Sequence, residues 1–293
     1  MALKKDEWLR LEAKANELRR LTLDTTYWCG SGHIGGGMSV LDLLTVLYHK
    51  YMRIDVKDPK WEDRDRFILS KGHAAIAYAP VLCDLGFDDK EELKTFNLTN
   101  SRFGMHLDSN KVVGVDASTG SLGHGLSIAV GTALAARVRG KDYMTYCVMG
   151  DGELDEGSNW EAAMSAAHYK LNNLVAFTDR NHCMIDGRTE DVMKLEPLAD
   201  KWTAFGFETR VIDGNNINEL CAAIDEALEN RKNGGEKPYM IILDTKKGCG
   251  VDFMEDQYTW HYGSLDEENY NKAKASLEKT YALRVARAEK EGE

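Results

Sequence analysis

Apolar and polar positions along the chain fall into two alternating periods. Residues 4 to 28 set Trp8, Leu11, Ala15, Leu18 and Thr22 along one face at helical spacing, which predicts an amphipathic helix. The glycine-dense stretch Cys29 to Gly37 reads as an irregular loop, and Ser39 as the cap of a second helix running to about Met52. Charged residues from Asp55 to Asp65, with Pro59 among them, read as a surface loop. A strand is expected over Arg66 to Ser70, a small-residue helix over Ala74 to Leu85 stopped by Gly86, and a short helix over Asp89 to Phe96. Asn97 to Asp116 shows no period. Ser118 to Gly125 is a second glycine-rich loop, opening a helix from Leu126 to Arg139.

From there the two periods alternate regularly. Strands are expected at Tyr143–Met149, Leu174–Thr178, Phe207–Ile212 and Tyr239–Thr245, with helices at Asn159–Lys170, Leu198–Phe205 and Ile217–Asn230. Lys246 to Asp256 reads as a loop, Trp260-His261-Tyr262-Gly263 as an isolated aromatic cluster, and the tail from Asp266 as a charged helix. Strands alternating with helices imply an α/β fold: a doubly wound, mostly parallel sheet with helices on both faces. With no internal repeat, no low-complexity linker and only four prolines, residues 1–293 read as one domain.

Composition narrows the function. A formal net charge of −11 argues against nucleic acid or an anionic membrane as the main partner. No apolar run is long enough to span a bilayer, and the N-terminus shows no signal-peptide pattern. The six cysteines, at 29, 83, 147, 183, 221 and 249, are widely spaced and read as reduced thiols of a cytoplasmic protein.

Two strand tips carry the candidate chemistry. Gly150-Asp151-Gly152 closes one expected strand, and Asp179-Arg180-Asn181 follows the next. Glycine lets the backbone approach an anion closely. Asp151 and Asn181 would then offer two oxygens to a hard cation such as Mg²⁺ at the sheet edge where open α/β sheets bind ligands. Asn172-Asn173 lies at the other end of the strand and is set aside. Four histidines, His33, His73, His106 and His261, sit in glycine-rich or irregular loops, where imidazoles bind phosphate oxygens or move protons.

The spacing of Gly-Asp-Gly and Asn181 resembles the thiamine diphosphate signature. Together with Ser31-Gly32-His33-Ile34-Gly35-Gly36, Leu69-Ser70-Lys71-Gly72-His73, Ser118 to Gly123, Glu156-Gly157 and Asp186-Gly187, it is similar to the diphosphate-binding half of transketolase over about residues 10 to 265. The resemblance implies that Asp151, Asn181 and the main-chain carbonyl of Cys183 ligate Mg²⁺. It implies that Gly152, His73 and His261 contact the diphosphate, with Glu153 in the same motif, and that Gly120, Ser121 and Leu122 lie against the rings, with Ile185 on the other side. His33, His73, His106 and His261 would line the donor-sugar channel, and Glu156 would link paired sites across a subunit interface. The bland alternative for Glu156 is a charge complementing a helix N-terminus.

Three positions depart from the family pattern. Ile34 stands where Pro is usual, Leu107-Asp108 where Pro-Glu is usual, and His124 where Gln is common, so the role of His124 stays open. His182 reads as a local variation beside the metal loop, and His49 and His168 as helix residues. Usual transketolase chains are more than twice as long. The resemblance therefore implies a split enzyme in which a second chain carries the pyrimidine half, as an α₂β₂ heterotetramer acting on sugars or sugar phosphates. Its reaction would be transfer of a two-carbon ketol unit from a ketose to an aldose. A 2-oxo acid dehydrogenase subunit, a deoxyxylulose-phosphate synthase-like enzyme, a transketolase for a non-standard sugar and a non-catalytic scaffold remain as alternatives.

Overall fold

The computed structural model describes residues 3–292. Five strands, β1 (Arg66–Leu69), β2 (Thr145–Gly150), β3 (Leu174–Arg180), β4 (Glu208–Asp213) and β5 (Tyr239–Asp244), pair in the order β1-β2-β3-β5-β4. Every pairing is parallel, so the sheet is wholly rather than mostly so.

Successive strand residues point to opposite faces, and each face has its own apolar core. Phe67, Tyr146, Val148, Phe177 and Ile241 pack on one side, under α2 (Ile34–Val46), α3 (Ala75–Leu85) and α8 (Ile217–Lys232). Ile68, Cys147, Met149, Ala176 and Met240 pack on the other, under α4 (His124–Val138), α5 (Gly157–His168) and α7 (Leu198–Ala204). Helices thus cover both faces, as the alternation predicts. The first helix, α1 (Lys5–Cys29), forms a further layer over α2 and α3, and the last, α9 (Glu267–Glu291), packs on α1. A third cluster with Leu23, Met38, Met254 and Leu277 anchors α9 and the loop after β5.

The expected loop over Cys29–Gly37 is corrected in its second half. α2 starts at Ile34, with Gly35, Gly36 and Gly37 in its first turn, and every one of its residues is buried. Intrinsic propensity disfavours glycine in a helix, but the tight seat against α3 outweighs it: a side chain on Gly37 would meet Ile76 Cγ2 at 2.9 Å. Ser39 is accordingly no cap. It lies inside α2 and donates to Asp179 Oδ2 at 2.6 Å. α2 continues through a π turn, Leu47–Tyr51, to the expected end at Met52. A short helix, α6 (Thr189–Val192), stands where the sequence shows no helical period. The six cysteines are all free and five are buried, and no helix among the described residues is long and apolar enough to cross a membrane.

Candidate active site

The C-terminal ends of β1, β2, β3 and β5 reach the same edge of the sheet, and a cleft of about 430 Å³ opens there. Segment Lys71–His73 follows β1, Asp151–Glu153 follows β2, Asn181–Asp186 follows β3, and Lys247 follows β5. His33, the residue before α2, and Glu156, the residue before α5, bring two helix N-termini to the cleft. An antiparallel bridge between Gly32 and Gly263, with N···O distances of 2.9 and 3.0 Å, carries His261 up to His33.

Three imidazoles form a triangle in this cleft. Ring centroids lie 5.1 Å apart for His33 and His73, 5.2 Å for His33 and His261, and 5.3 Å for His73 and His261. Burial, then the nearby charges, keep all three from protonating: His33 falls to about 4, His261 to about 3, and His73 well below its ordinary value. Burial lowers His106 as well. They are therefore neutral at physiological pH, and each ring offers one donor and one acceptor. His33 Nδ1 is buried without a partner.

Gly120, with φ of +148°, sits in a conformation that side-chain-bearing residues rarely adopt. A Cβ there would also strike the His106 ring at 2.9 Å.

Two buried lysines supply the positive charge. Lys71 Nζ donates to Gly36 O at 2.8 Å and pairs with Asp179, which is fully buried. Asp179 also accepts from Ser39, from Thr245 Oγ1 at 2.5 Å and from Asn181 Nδ2 at 3.1 Å. Burial opposes its charge, but Lys71 and these donors prevail and its pKa is lowered. Lys247 lies 3.5 Å from His261 Nδ1 and has no ion-pair partner among the described residues. Burial, then the like charge of Lys71, lowers its pKa.

At the strand tips, Asp151 and Asn181 face the same cleft as expected. Asp151 Oδ1 accepts from Gly152 N at 2.9 Å, and Oδ2 from His182 N at 2.7 Å and Arg180 Nη1 at 3.1 Å. Burial, then the charge of Asp179, raises the Asp151 pKa. Among the described residues, Asn181 Oδ1 accepts only a 3.3 Å contact from Cys183 N. No group of three His, Cys, Asp or Glu side chains suited to a metal occurs among the described residues. The Asp151 carboxylate and the Asn181 amide oxygen are hard oxygen donors on the cleft wall, the kind that Mg²⁺ prefers.

Of the residues singled out from the sequence, His33, His73, His106, His261, Gly120, Leu122, Gly152, Glu153, Glu156, Ile185, Asp151, Asn181 and Cys183 all line this cleft, and Ser121 does not. Glu153 is committed to its neighbours. It accepts from Ser70 Oγ, from Gly123 N at 2.9 Å and from Gly150 N at 3.0 Å, tying three loops together. His182 has a φ of +62° and its Nε2 lies 2.7 Å from Asp244 Oδ1. The set-aside Asn173 bonds Ala133 O at 3.0 Å, at the far end of β3. Lys247 escapes a reading of the sequence, and Lys71 enters one only as part of a motif, because an isolated lysine looks like a surface residue.

The model for the transketolase thiamine diphosphate binding domain matches residues 11–285. A 6-deoxy-6-sulfo-D-fructose transketolase subunit from a Clostridium species is 43% identical, over 94% of this chain and 98% of its own. An apulose-4-phosphate transketolase subunit of Phocaeicola vulgatus is 40% identical, over 96% of this chain and 97% of its own. Among solved structures, Leishmania mexicana transketolase superposes with a TM-score of 0.84 at 30% identity, over 96% of this chain and 45% of that one. The chain likewise spans 42% of human transketolase, at 35% identity. A family match along nearly the whole chain, on a fold that brings the expected residues to one sheet edge, shows that the chain belongs to the transketolase family as a thiamine diphosphate-binding domain.

Proposed function

We propose that this chain is the diphosphate- and metal-binding subunit of a two-chain transketolase, transferring a two-carbon ketol unit from a ketose to an aldose. The observation that carries the reading is the gathering of three neutral imidazoles and two buried lysines beside the strand tips of Asp151 and Asn181. The cleft fits the cofactor in two specific ways. A buried ammonium such as Lys247, with no carboxylate in contact among the described residues, is costly unless an anion offsets it, and His33 Nδ1, buried and without a partner among the same residues, awaits a polar ligand.

When bound, thiamine diphosphate supplies the carbanion chemistry. The chain's own groups bind and orient. Asp151, Asn181 and the Cys183 carbonyl would hold Mg²⁺. Gly152, His73 and His261 would contact the diphosphate, with Lys71 and Lys247 adding charge, and Gly120, Leu122 and Ile185 would lie against the rings. His33, His73, His106 and His261 hold sugar hydroxyls and relay protons as neutral imidazoles. Glu156, exposed in this single chain, would meet its symmetry mate across an interface.

The partner is a second chain carrying the pyrimidine-binding half, assembled as α₂β₂ in the cytoplasm. Two relatives are named for a sulfonated and a phosphorylated sugar, and on this reading the donor of this chain carries an anionic far end of the same class. The test is to purify the chain with and without its partner and assay ketol transfer over a panel of phosphorylated and sulfonated sugars. Transfer is expected only from the pair, with thiamine diphosphate and Mg²⁺ raising the melting temperature. Ketol transfer by the chain alone, or pyruvate decarboxylation by the pair, would overturn the assignment.

A further inference from the structure

We infer that Tyr262 is a positioning residue for His33, covering the solvent side of its imidazole and, bonded to Ser31, holding the ring against His73 and His261. This role rests on the proposed reading of His33 as a group that holds the sugar. The bridge between Gly32 and Gly263 makes these two a hydrogen-bonded antiparallel pair. His33 therefore stands opposite Tyr262, where cross-strand side chains come closest. Their ring centroids are 4.9 Å apart at 74°, an edge-on contact. Tyr262 Oη lies 2.7 Å from Ser31 Oγ, a hydrogen bond in which either hydroxyl can donate. The backbone on both sides is pinned independently of the tyrosine. A Cβ on Gly32 would meet Ile76 at 3.3 Å, and one on Gly263 would strike the Trp260 ring at 2.6 Å.

Packing, more than hydrogen bonding, holds the His33 ring. Its Nδ1 is buried without a partner among the described residues and so anchors nothing. The aromatic rings against it are His73 at 5.1 Å, His261 at 5.2 Å and Tyr262. His73 and His261 share the cleft wall with it, whereas Tyr262 is 44% exposed and lies outside the cleft-lining set. Tyr262 thus touches His33 from the outer side and acts on the substrate through it. Removing the phenol ring opens that side of the imidazole to water and frees the imidazole to turn about its two side-chain bonds. A group displaced by about 1 Å can cost on the order of 10²-fold in rate, so a contact that matters little to folding can matter at the site. The Ser31 hydroxyl only sets the tilt of the tyrosine, and its loss should cost less than loss of the ring.

The experiment has two arms, both on the full chain. In the first, the chain reconstituted with its partner is assayed for ketol transfer as native protein, Tyr262→Ala, His33→Ala and the double variant. Tyr262→Ala should lower kcat/KM for the donor by about tenfold or more, but by less than about twofold in the His33→Ala background. Equal fold losses in the two backgrounds, or no loss from Tyr262→Ala, would overturn the assignment. Tyr262→Phe and Ser31→Ala remove the same hydrogen bond, so their double variant should lose no more than either alone, and losses that multiply would take Ser31 out of the assignment. The second arm is an NMR titration of His33 in the chain alone, which needs neither partner nor sugar. Burial, then His106, Lys247 and Lys71, holds the native midpoint at about 4. Those groups, with the neutral His73 and His261, remain in Tyr262→Ala, so the lost cover should raise the midpoint by about one pH unit, and an unchanged midpoint would overturn the assignment. If the native pair transfers no ketol unit, the proposed function falls and the titration alone decides whether Tyr262 covers His33.

Discussion

His33 and His261 are imidazoles that the fold keeps uncharged, and the cost appears when the medium turns acid. Their native pKa values, about 4 and about 3, lie below the ordinary 6.5. As pH falls below 6.5, the unfolded chain takes up protons that the native chain refuses, so stability declines until the native pKa values are reached. The melting temperature should therefore drop between pH 6.5 and about 4, more gently in His33→Gln, and an NMR titration of His33 with a midpoint near 6.5 would contradict this. Lys71 presents the complementary case. Lys71→Met leaves Asp179, fully buried, with neutral donors only, and breaking such a buried pair costs roughly 3–5 kcal/mol. Chemical denaturation should show that loss, and Lys71→Met combined with Asp179→Leu should recover part of it. A single-mutant cost no larger than that of an exposed pair would show that the ion pair does not support this edge of the sheet.

At the scale of elements, α4 offers two glycines with opposite expectations. A Cβ on Gly125 would lie 2.2 Å from Ser70 Oγ and 2.6 Å from Ser70 Cα, so the helix must lift from the end of β1, whereas Gly131 has nothing within 4 Å. Gly125→Ala should cost about 3 kcal/mol and Gly131→Ala should gain roughly 0.5–1 kcal/mol, both read from denaturant midpoints. Equal effects would mean that α4 does not seat on Ser70 as described. The same contrast explains what the chain's pattern could reveal. The strands were legible because Ile68, Cys147 and Ala176 alternate with Phe67, Tyr146 and Phe177 between two apolar cores. Asp151 and Asn181 were legible because each ends such a strand. The start of α2 was not, since three consecutive glycines signal a loop and only the seat against α3 makes them helical. Lys247 was equally hidden, because nothing local distinguishes a buried lysine from a solvated one. Arg180 was visible beside Asn181, but its contacts come from Thr189, Glu190 and Glu196, in a segment whose short helix no period announced.

Over the whole molecule, the distribution of apolar surface bears on assembly. Single exposed apolar residues are ordinary, but Ile185, 67% exposed, stands at the cleft beside the half-buried Met184. Ile185 itself lines the cleft, so a chain that completes the site must pass over this region and remove it from water. Leu283 on α9, 72% exposed, and Val211 on edge strand β4, 58% exposed, lie outside the cleft-lining set and should be left uncovered. Oxidative footprinting of the chain with and without its partner tests this directly. Met184 and Ile185 should become protected on assembly while Leu283 and Val211 react as before. Protection confined to Leu283 and Val211 would place the partner away from the cleft and remove the ground for a shared active site. Protection of all four alike would point to general compaction, with no defined interface at the cleft mouth.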